Sequence, residues 1–125
     1  MLIKSKAYRK KVLIAIVNVF STSNNTIINI SDIYSKTLFF GSGGLLGIKG
    51  SRRSTSYAGQ AIASVLGKKL LSLGTKYIYI KLKGFGKGRY PSIKGFSILG
   101  FNILNISDVT SLAFNGCKPP KKRRI

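Results

Sequence analysis

The chain of 125 residues contains almost none of the residue types on which enzyme active sites are commonly built. It has no histidine, no glutamate and a single cysteine, and its carboxylate side chains are Asp32 and Asp108. A Ser–His–Asp triad cannot be assembled without histidine, and a zinc site of histidines and several cysteines is excluded for the same reason. A nuclease whose metal ions need three or four clustered carboxylates is excluded as well. The sequence therefore predicts a protein that is not an enzyme and that needs no cofactor or metal.

The second scarcity is negative charge. Lysine and arginine number 22 against two acidic residues, so the formal net charge is +20. Apolar residues make up 44% of the chain, which is enough to form the core of one domain and argues against intrinsic disorder. So large a charge of one sign on a small body repels itself and needs an anionic partner. Nucleic acid is the first candidate for that partner, and a membrane surface is the second.

Long apolar runs are also missing. The longest apolar run, residues 12–20, is about half of the roughly 20 residues that a membrane-spanning helix needs. It predicts a buried strand, so no membrane partner is expected, and no small-residue cleavage site follows it to suggest a signal peptide. Lysine outnumbers arginine by 16 to 6, and Ile, Asn, Phe and Tyr are abundant. These are residues of AT-rich codons, which favours an organellar gene and a product made inside the organelle without a presequence.

The spacing of apolar residues predicts the element order β-β-β-α-β-α-β, which folds as one mixed sheet with helices packed against it. A basic arm at 1–11 precedes an α/β domain at 12–109, and a basic tail at 110–125 follows it. Tyr77 and Tyr79 share one face of the fourth strand. Packing under a helix is the favoured interpretation of these tyrosines, and stacking on nucleic-acid bases is the alternative. The predicted strands are 12–20, 26–30, 37–40, 77–82 and 101–106. The first predicted helix is capped by Ser54 or Thr55 and ends at Gly74, and the second has Pro91 in its first turn and ends near Gly100.

Two glycine-rich loops carry basic side chains, at residues 41–53 and 84–89. Glycine lets backbone amides approach a phosphate closely, and each loop precedes a predicted helix whose N-terminus favours an anion. The second loop, together with Asp108, outlines a dinucleotide site, but an arginine stands where the motif needs its third glycine. RNA phosphate is therefore the favoured ligand, with a plain turn as the alternative. The predicted RNA-binding residues of the two loops are Lys49, Ser51, Arg52, Arg53, Lys87 and Arg89.

Two further segments are candidates for contact with RNA. Asn24 and Asn25 at the first hairpin tip either read base edges and sugar hydroxyls or serve as ordinary turn residues, and the sequence leaves both open. The tail holds five basic residues beside a pair of prolines that keep it extended, so its charges can follow a phosphate backbone. RNA binding is favoured here over a nuclear localisation signal. The tail residues are Lys118, Lys121, Lys122, Arg123 and Arg124.

Several motifs together resemble ribosomal protein eleven of the small subunit, a family found in bacteria and organelles. The resemblance covers about residues 12–125 in unbroken order. It is strongest in the closing run NGCKPPKKRRI at 115–125, and it includes the Asp-Val-Thr at 108–110. The other matching segments are SNNTI at 23–27, GIKGSRRST at 47–55 and KGFGKGR at 83–89.

The resemblance implies a fold, a role and partners. The fold is a single three-layer α/β domain with a mixed five-stranded sheet and a ribonuclease H-like motif. The role is that of a structural constituent of the small ribosomal subunit, which binds small-subunit rRNA on the platform near the exit site and supports translation. Implied neighbours are the ribosomal proteins numbered seven and eighteen, and the messenger RNA. The expected location is a mitochondrial ribosome in the matrix, with a plastid or an AT-rich bacterium as alternatives. The rival function is a free RNA chaperone or nonspecific nucleic-acid-binding protein.

Overall fold

The computed structural model describes residues 11–125, so the predicted basic arm lies outside the described residues except for Lys11. All seven predicted elements are confirmed, with ends that differ by a few residues. The sequence did not predict one further element, a 3-10 turn at Gly50–Ser54. The strands and helices are β1 (Ile14–Ser21), β2 (Thr26–Ser31), β3 (Thr37–Ser42), α1 (Ser56–Ser72), β4 (Tyr77–Lys83), α2 (Arg89–Ile98) and β5 (Asn102–Asp108).

The five strands form one mixed sheet, as predicted, in the order β3-β2-β1-β4-β5. The first three strands are antiparallel neighbours, whereas β4 runs parallel to both β1 and β5. Central β1 carries apolar residues that are buried at every second position. Val17, for example, lies opposite Ile30 on one side and Ile80 on the other, and all three are fully buried. This alternation fixes the register, because a slip of one residue would turn the buried set outward.

The helices form a single layer, which differs from the three layers that the resemblance implied. The crossovers from β3 through α1 to β4 and from β4 through α2 to β5 advance across the sheet in the same direction. Right-handed crossovers of that kind place both helices on the same face. The two helices accordingly pack on each other: Ser92 of α2 donates a hydrogen bond to the carbonyl oxygen of Gly59 in α1 over 3.4 Å. Residues 109–125 form no helix to cover the other face, so the described part of the chain has two layers.

Helix α1 is fixed at its start by a capping residue and a close contact. The hydroxyl of Thr55 accepts a hydrogen bond from the amide of Ala58 over 3.3 Å, which makes Thr55 the cap, one of the two residues predicted for that role. A Cβ built on Gly59 would lie 2.7 Å from the carbonyl oxygen of Gly88, so only glycine permits this approach to the start of α2. In the range 11–125 no helix is both long and apolar enough to cross a bilayer.

Within residues 11–125, no helix covers the face of the sheet away from α1 and α2, and this corrects the interpretation of the two tyrosines. Ile78 and Ile80 are the residues of β4 that pack under the helices, and both are fully buried. Tyr79 points to the opposite side, where it is 37% exposed, and Tyr77 shares its face. We call this side the open face and define it by eight residues on four strands. They are Asn18, Phe20, Ile27, Asn29, Phe40, Tyr79, Lys81 and Lys83.

Candidate nucleic-acid interface

The predicted RNA-binding loops emerge at one end of the domain. Parallel β1, β4 and β5 all finish there, and because each crossover helix must start where a strand ends, α1 and α2 begin there. The hairpin turn and the end of β3 lie at the same end, since Ile27 pairs with Ser42. We call this region the loop end, made of residues 22–25, 43–55 and 84–88. Ligands of open α/β sheets typically bind at this carboxyl edge of the parallel strands.

The hairpin tip and the first glycine-rich loop are in contact. A Cβ built on Gly43 would lie 3.0 Å from Cβ of Arg53 and 3.1 Å from Oδ1 of Asn25. The glycine therefore lets the chain pass between these two side chains. The Nε of Arg53 also donates a hydrogen bond to the carbonyl oxygen of Gly50 over 3.3 Å. Two side chains that lie 28 positions apart in the sequence thus flank the same glycine.

The second glycine-rich loop packs against the same hairpin. The amide of Gly86 donates a hydrogen bond to the carbonyl oxygen of Ser21 over 3.1 Å. Any Cβ on Gly84 or Gly86 would collide with Ser21, and one on Gly88 would collide with the hydroxyl of Thr26. The glycines here are required by backbone-to-backbone packing. Lys87 projects from the resulting loop and is exposed.

A closed ring of hydrogen bonds holds this loop to the end of β5. The amide of Gly84 donates to the hydroxyl of Thr110 over 3.1 Å, and that hydroxyl donates to Oδ1 of Asp108 over 2.5 Å. Oδ2 of Asp108 accepts from Nη2 of Arg89 over 2.7 Å, and Nη1 of Arg89 donates back to the carbonyl oxygen of Gly84 over 3.2 Å. Arg89 is therefore engaged within the protein, with a side chain that is 14% exposed. Its position fits a residue that shapes the loop.

The ring lowers the pKa of Asp108 from 3.8 to about 2, chiefly through the hydrogen bonds from Thr110 and then through Arg89. The ionised carboxylate therefore stabilises the folded state above about pH 4, and this contribution is lost as the pH falls towards 2. In Asp108→Asn, we expect that part of the acid-induced loss of stability to disappear. Urea unfolding of both proteins across this pH range measures the difference.

Thr110→Val distinguishes the effect of the hydrogen-bonded ring from other effects of low pH on the protein. It removes the hydroxyl that most lowers the pKa of Asp108 and keeps the ion pair of Asp108 with Arg89. Its acid transition should move to higher pH than that of the wild type. Asp32→Asn is the matched control, because it removes the other side-chain carboxylate and leaves the ring intact. Stability curves for wild type and Asp108→Asn that stayed parallel down to pH 2 would contradict this account.

The remaining predicted residues differ in how freely their polar groups face outward. Asn25 uses Oδ1 to accept from the amide of Thr26 over 2.9 Å, which is turn chemistry, whereas the neighbouring Asn24 is exposed. Arg53 is half-buried beside Gly43. Asp108, the acidic residue at the loop end, is already paired, so the field there is positive. The fully exposed members of the set are Lys49, Ser51, Arg52, Lys118, Lys121, Lys122, Arg123 and Arg124.

Two features of the site escaped the residue-level interpretation of the sequence. Asp108 was considered as a ribose ligand, and Thr110 was noted only within a family motif, although together they fasten the loop. The Asp-x-Thr spacing is the local signal, because a carboxylate readily accepts from the amide and hydroxyl two residues on. Within residues 11–125, no group of three or more His, Cys, Asp or Glu side chains is placed to hold a metal ion.

Comparisons with known proteins agree with this architecture. The sequence model of the family "Ribosomal protein S11" matches residues 15–124. "Small ribosomal subunit protein uS11c" of Cyanidium caldarium is 45% identical over 97% of this chain and 94% of its own length. The uS11 of Neisseria meningitidis is 46% identical over 96% of this chain and 92% of its own. The uS11m of Prototheca wickerhamii is 42% identical over the whole of both chains. The chain therefore belongs to the ribosomal protein S11 family, as the resemblance of its motifs predicted.

Proposed function

We propose that the chain is a structural constituent of the small ribosomal subunit and that it binds small-subunit rRNA through the loop end and the tail. The observation that carries the proposal is the convergence of both glycine-rich basic loops, the hairpin tip and two helix N-termini on one surface. The acidic residue on that surface is already paired. Membership in the family and the names of the relatives support the same role. The role is structural, and no catalytic step is assigned to the chain.

Binding depends on basic side chains that neutralise RNA phosphates. Without them, the phosphates of separate RNA segments repel each other and cannot come close together. Arg52 and Lys49 sit just before α1, where exposed amides and the helix dipole also favour an anion. Lys87 supplies a charge from the second loop, on a backbone that the ring around Gly84 holds in place. Each phosphate contact releases counterions, so affinity falls steeply with salt. The protein thus acts as a rigid positive surface across which separate RNA segments pack.

The finer placement is a proposal that the resemblance to the family supports. We assign the chain to the platform of the subunit near the exit site, beside the ribosomal proteins numbered seven and eighteen and close to the messenger RNA. Relatives named uS11m and uS11c, together with the AT-rich residue usage, favour an organellar ribosome. Among organelles we favour the mitochondrial matrix, with a plastid as the alternative. Fractionation of organelles, with this chain followed by antibody, distinguishes the two.

The two arginines before α1 give a direct test of the loop end. In Arg52→Ala/Arg53→Ala we expect affinity for a small-subunit rRNA transcript to fall by about tenfold or more, and the slope of log K against log salt to flatten by about 1.5 units. Lys68→Ala/Lys69→Ala removes the same charge from exposed positions late in α1 and should have a smaller effect. Equal losses in the two double variants would mean that only net charge matters.

The rival function is a free RNA chaperone that has no fixed place on the ribosome. Sedimentation in high salt separates the two functions, because a structural constituent stays with the small particle while a nonspecific binder is washed away. We expect this chain to co-sediment with small-subunit rRNA after washing with about 0.5 M salt, where long-range attraction is strongly screened. Its recovery at the top of the gradient would overturn the proposed function.

A further inference from the structure

The open face carries a row of polar and aromatic side chains that lie at right angles to the strands. Strand register places Asn29 directly opposite Phe40 on one side and opposite Asn18 on the other, and Asn18 in turn lies opposite Lys81. Cross-strand neighbours of this kind have Cβ atoms roughly 5 Å apart, so the row is continuous. The carbonyl oxygen of the Asn29 side chain is buried and accepts no hydrogen bond from residues 11–125. A ligand that turned this amide outward would recover that hydrogen bond.

Apolar and aromatic surface borders the row on both sides. Phe20 pairs with Ile27 and with Lys83 on one side, and both apolar side chains are 40% exposed. The ammonium of Lys83 lies 5.8 Å from the centre of the Phe20 ring. On the other side of the row stands Tyr79, whose side chain is 37% exposed. A shallow groove follows the boundary between β1 and β4, where Asn18, Phe20, Lys81 and Lys83 line it and Val109 bounds it.

The charge of the open face identifies its occupant. Lys81 and Lys83 are its charged side chains. The two acidic residues lie elsewhere, because Asp32 follows β2 and Asp108 is held by Arg89 and Thr110 in the ring of hydrogen bonds at the end of β5. Lysine is depleted from the cores of protein–protein interfaces, so a protein partner fits this face poorly. Aromatic rings flanked by amides and lysines are instead what unpaired RNA requires, since bases stack on the rings and phosphates pair with the lysines.

We propose that the open face is a second RNA-binding surface, distinct from the loop end, which takes an unpaired segment of RNA. Bases stack on Tyr79 and Phe20, the amides of Asn18 and Asn29 meet base edges or ribose hydroxyls, and Lys81 and Lys83 hold phosphates. The proposal rests on the proposed function, because it assumes that RNA surrounds the protein. It adds a mode of contact that the loops and tail do not provide: recognition of bases, in addition to neutralisation of the backbone.

The test measures binding of a twelve-nucleotide oligouridylate and, in parallel, binding of a small-subunit rRNA transcript. Tyr79→Ser should weaken oligouridylate binding by about fivefold or more, since a stacked base contributes on the order of 1 kcal/mol at least. Tyr34→Ser is the matched control, because Tyr34 is an exposed tyrosine in the turn between β2 and β3, at the end of the sheet opposite the loop end. Lys81→Gln/Lys83→Gln should weaken binding more than Lys68→Gln/Lys94→Gln, which removes equal charge from the helices. Thermal unfolding followed by circular dichroism ensures that the variants compared are folded.

A photoreactive benzoylphenylalanine at position 79, in small particles reconstituted with rRNA and proteins, tests the same face in the assembly. An RNA adduct that nuclease removes is expected. A protein adduct would overturn the proposal in favour of a protein partner, and so would an unchanged oligouridylate affinity in Tyr79→Ser. If wild type binds the transcript but the open-face variants match their controls, this inference fails and the proposed function stands. If wild type binds no transcript, the proposed function itself fails.

Discussion

Removal of residues 118–125 is expected to reduce affinity for a small-subunit rRNA transcript by up to about a thousandfold in roughly 0.1 M salt, and to flatten the salt slope by about four units. The segment holds five of the chain's basic residues, and each contributes nearly one unit if it meets a phosphate. The tail is exposed along its length and forms no helix or strand, so its removal leaves the core intact. The loss should therefore appear in binding and leave the free energy of unfolding nearly unchanged.

Two full-length variants separate the charge of the tail from its length and its stiffness. Replacing its five lysines and arginines with glutamine keeps the length and should reproduce most of the loss. Pro119→Ala/Pro120→Ala keeps every charge and lets the segment bend, which should leave the salt slope unchanged and weaken binding only slightly. A salt slope that did not change on truncation would refute contact between the tail and RNA. The slope is the informative readout, because it counts phosphate contacts.

The local elements were predictable because their signals lie within a few residues of each other. The helical spacing of Ile62, Leu66 and Leu70 and the cap at Thr55 indicated α1 without knowledge of any distant contact. The existence of β4 followed in the same way from the alternation of tyrosine and isoleucine over residues 77–80, although the side that is buried did not. The boundaries were off by a few residues, since the ends of elements depend on neighbours that the sequence does not reveal.

The predictions that were wrong are those that depend on how the elements pack against each other. The tyrosines of β4 were assigned to the side under a helix because aromatic rings usually favour burial. The direction of both crossovers, however, puts the helices over the isoleucines and leaves Tyr79 on the open face. The three-layer expectation failed for the same reason, since no described helix follows β5. The row of Asn18, Asn29 and Lys81 was invisible in the sequence, because it arises from strand register across 63 positions.

The sequence predicted the individual loops of the candidate site. It did not predict the contacts that join them into one surface. Each loop was recognised by glycines beside basic residues, which is a local pattern. The contact of Asn25 and Arg53 around Gly43, and the ring that joins Gly84 to Asp108, are tertiary features. Arg89 illustrates the consequence: a local pattern counts every arginine in a loop as a phosphate ligand, whereas the fold engages this one with a carboxylate and a carbonyl oxygen. We therefore expect Arg89 to affect RNA binding indirectly, through the shape of the loop.

Gly84→Ala is expected to destabilise the protein by about 3 kcal/mol or more, which is a large part of the 5–15 kcal/mol typical of a domain. Two effects add. The residue has a φ of +90°, which a side chain tolerates at a cost of about 1–2 kcal/mol. A Cβ would also fall on the carbonyl oxygen of Ser21, so the hairpin and the loop must separate. Urea unfolding, with the wild type measured in parallel, gives the difference directly.

Gly100→Ala measures the first effect, the backbone cost, without the second. Gly100 has a φ of +86°, but a Cβ there meets nothing within 4 Å, so only the backbone cost remains. We expect Gly100→Ala to lose about 1–2 kcal/mol of stability and to bind rRNA as the wild type does. Gly84→Ala, measured under conditions where it is folded, should also bind rRNA less tightly, because the ring that positions Lys87 starts at its amide. Equal losses of stability in the two variants would show that the loop and the hairpin are not tightly packed, and the loop end would then be no preformed surface.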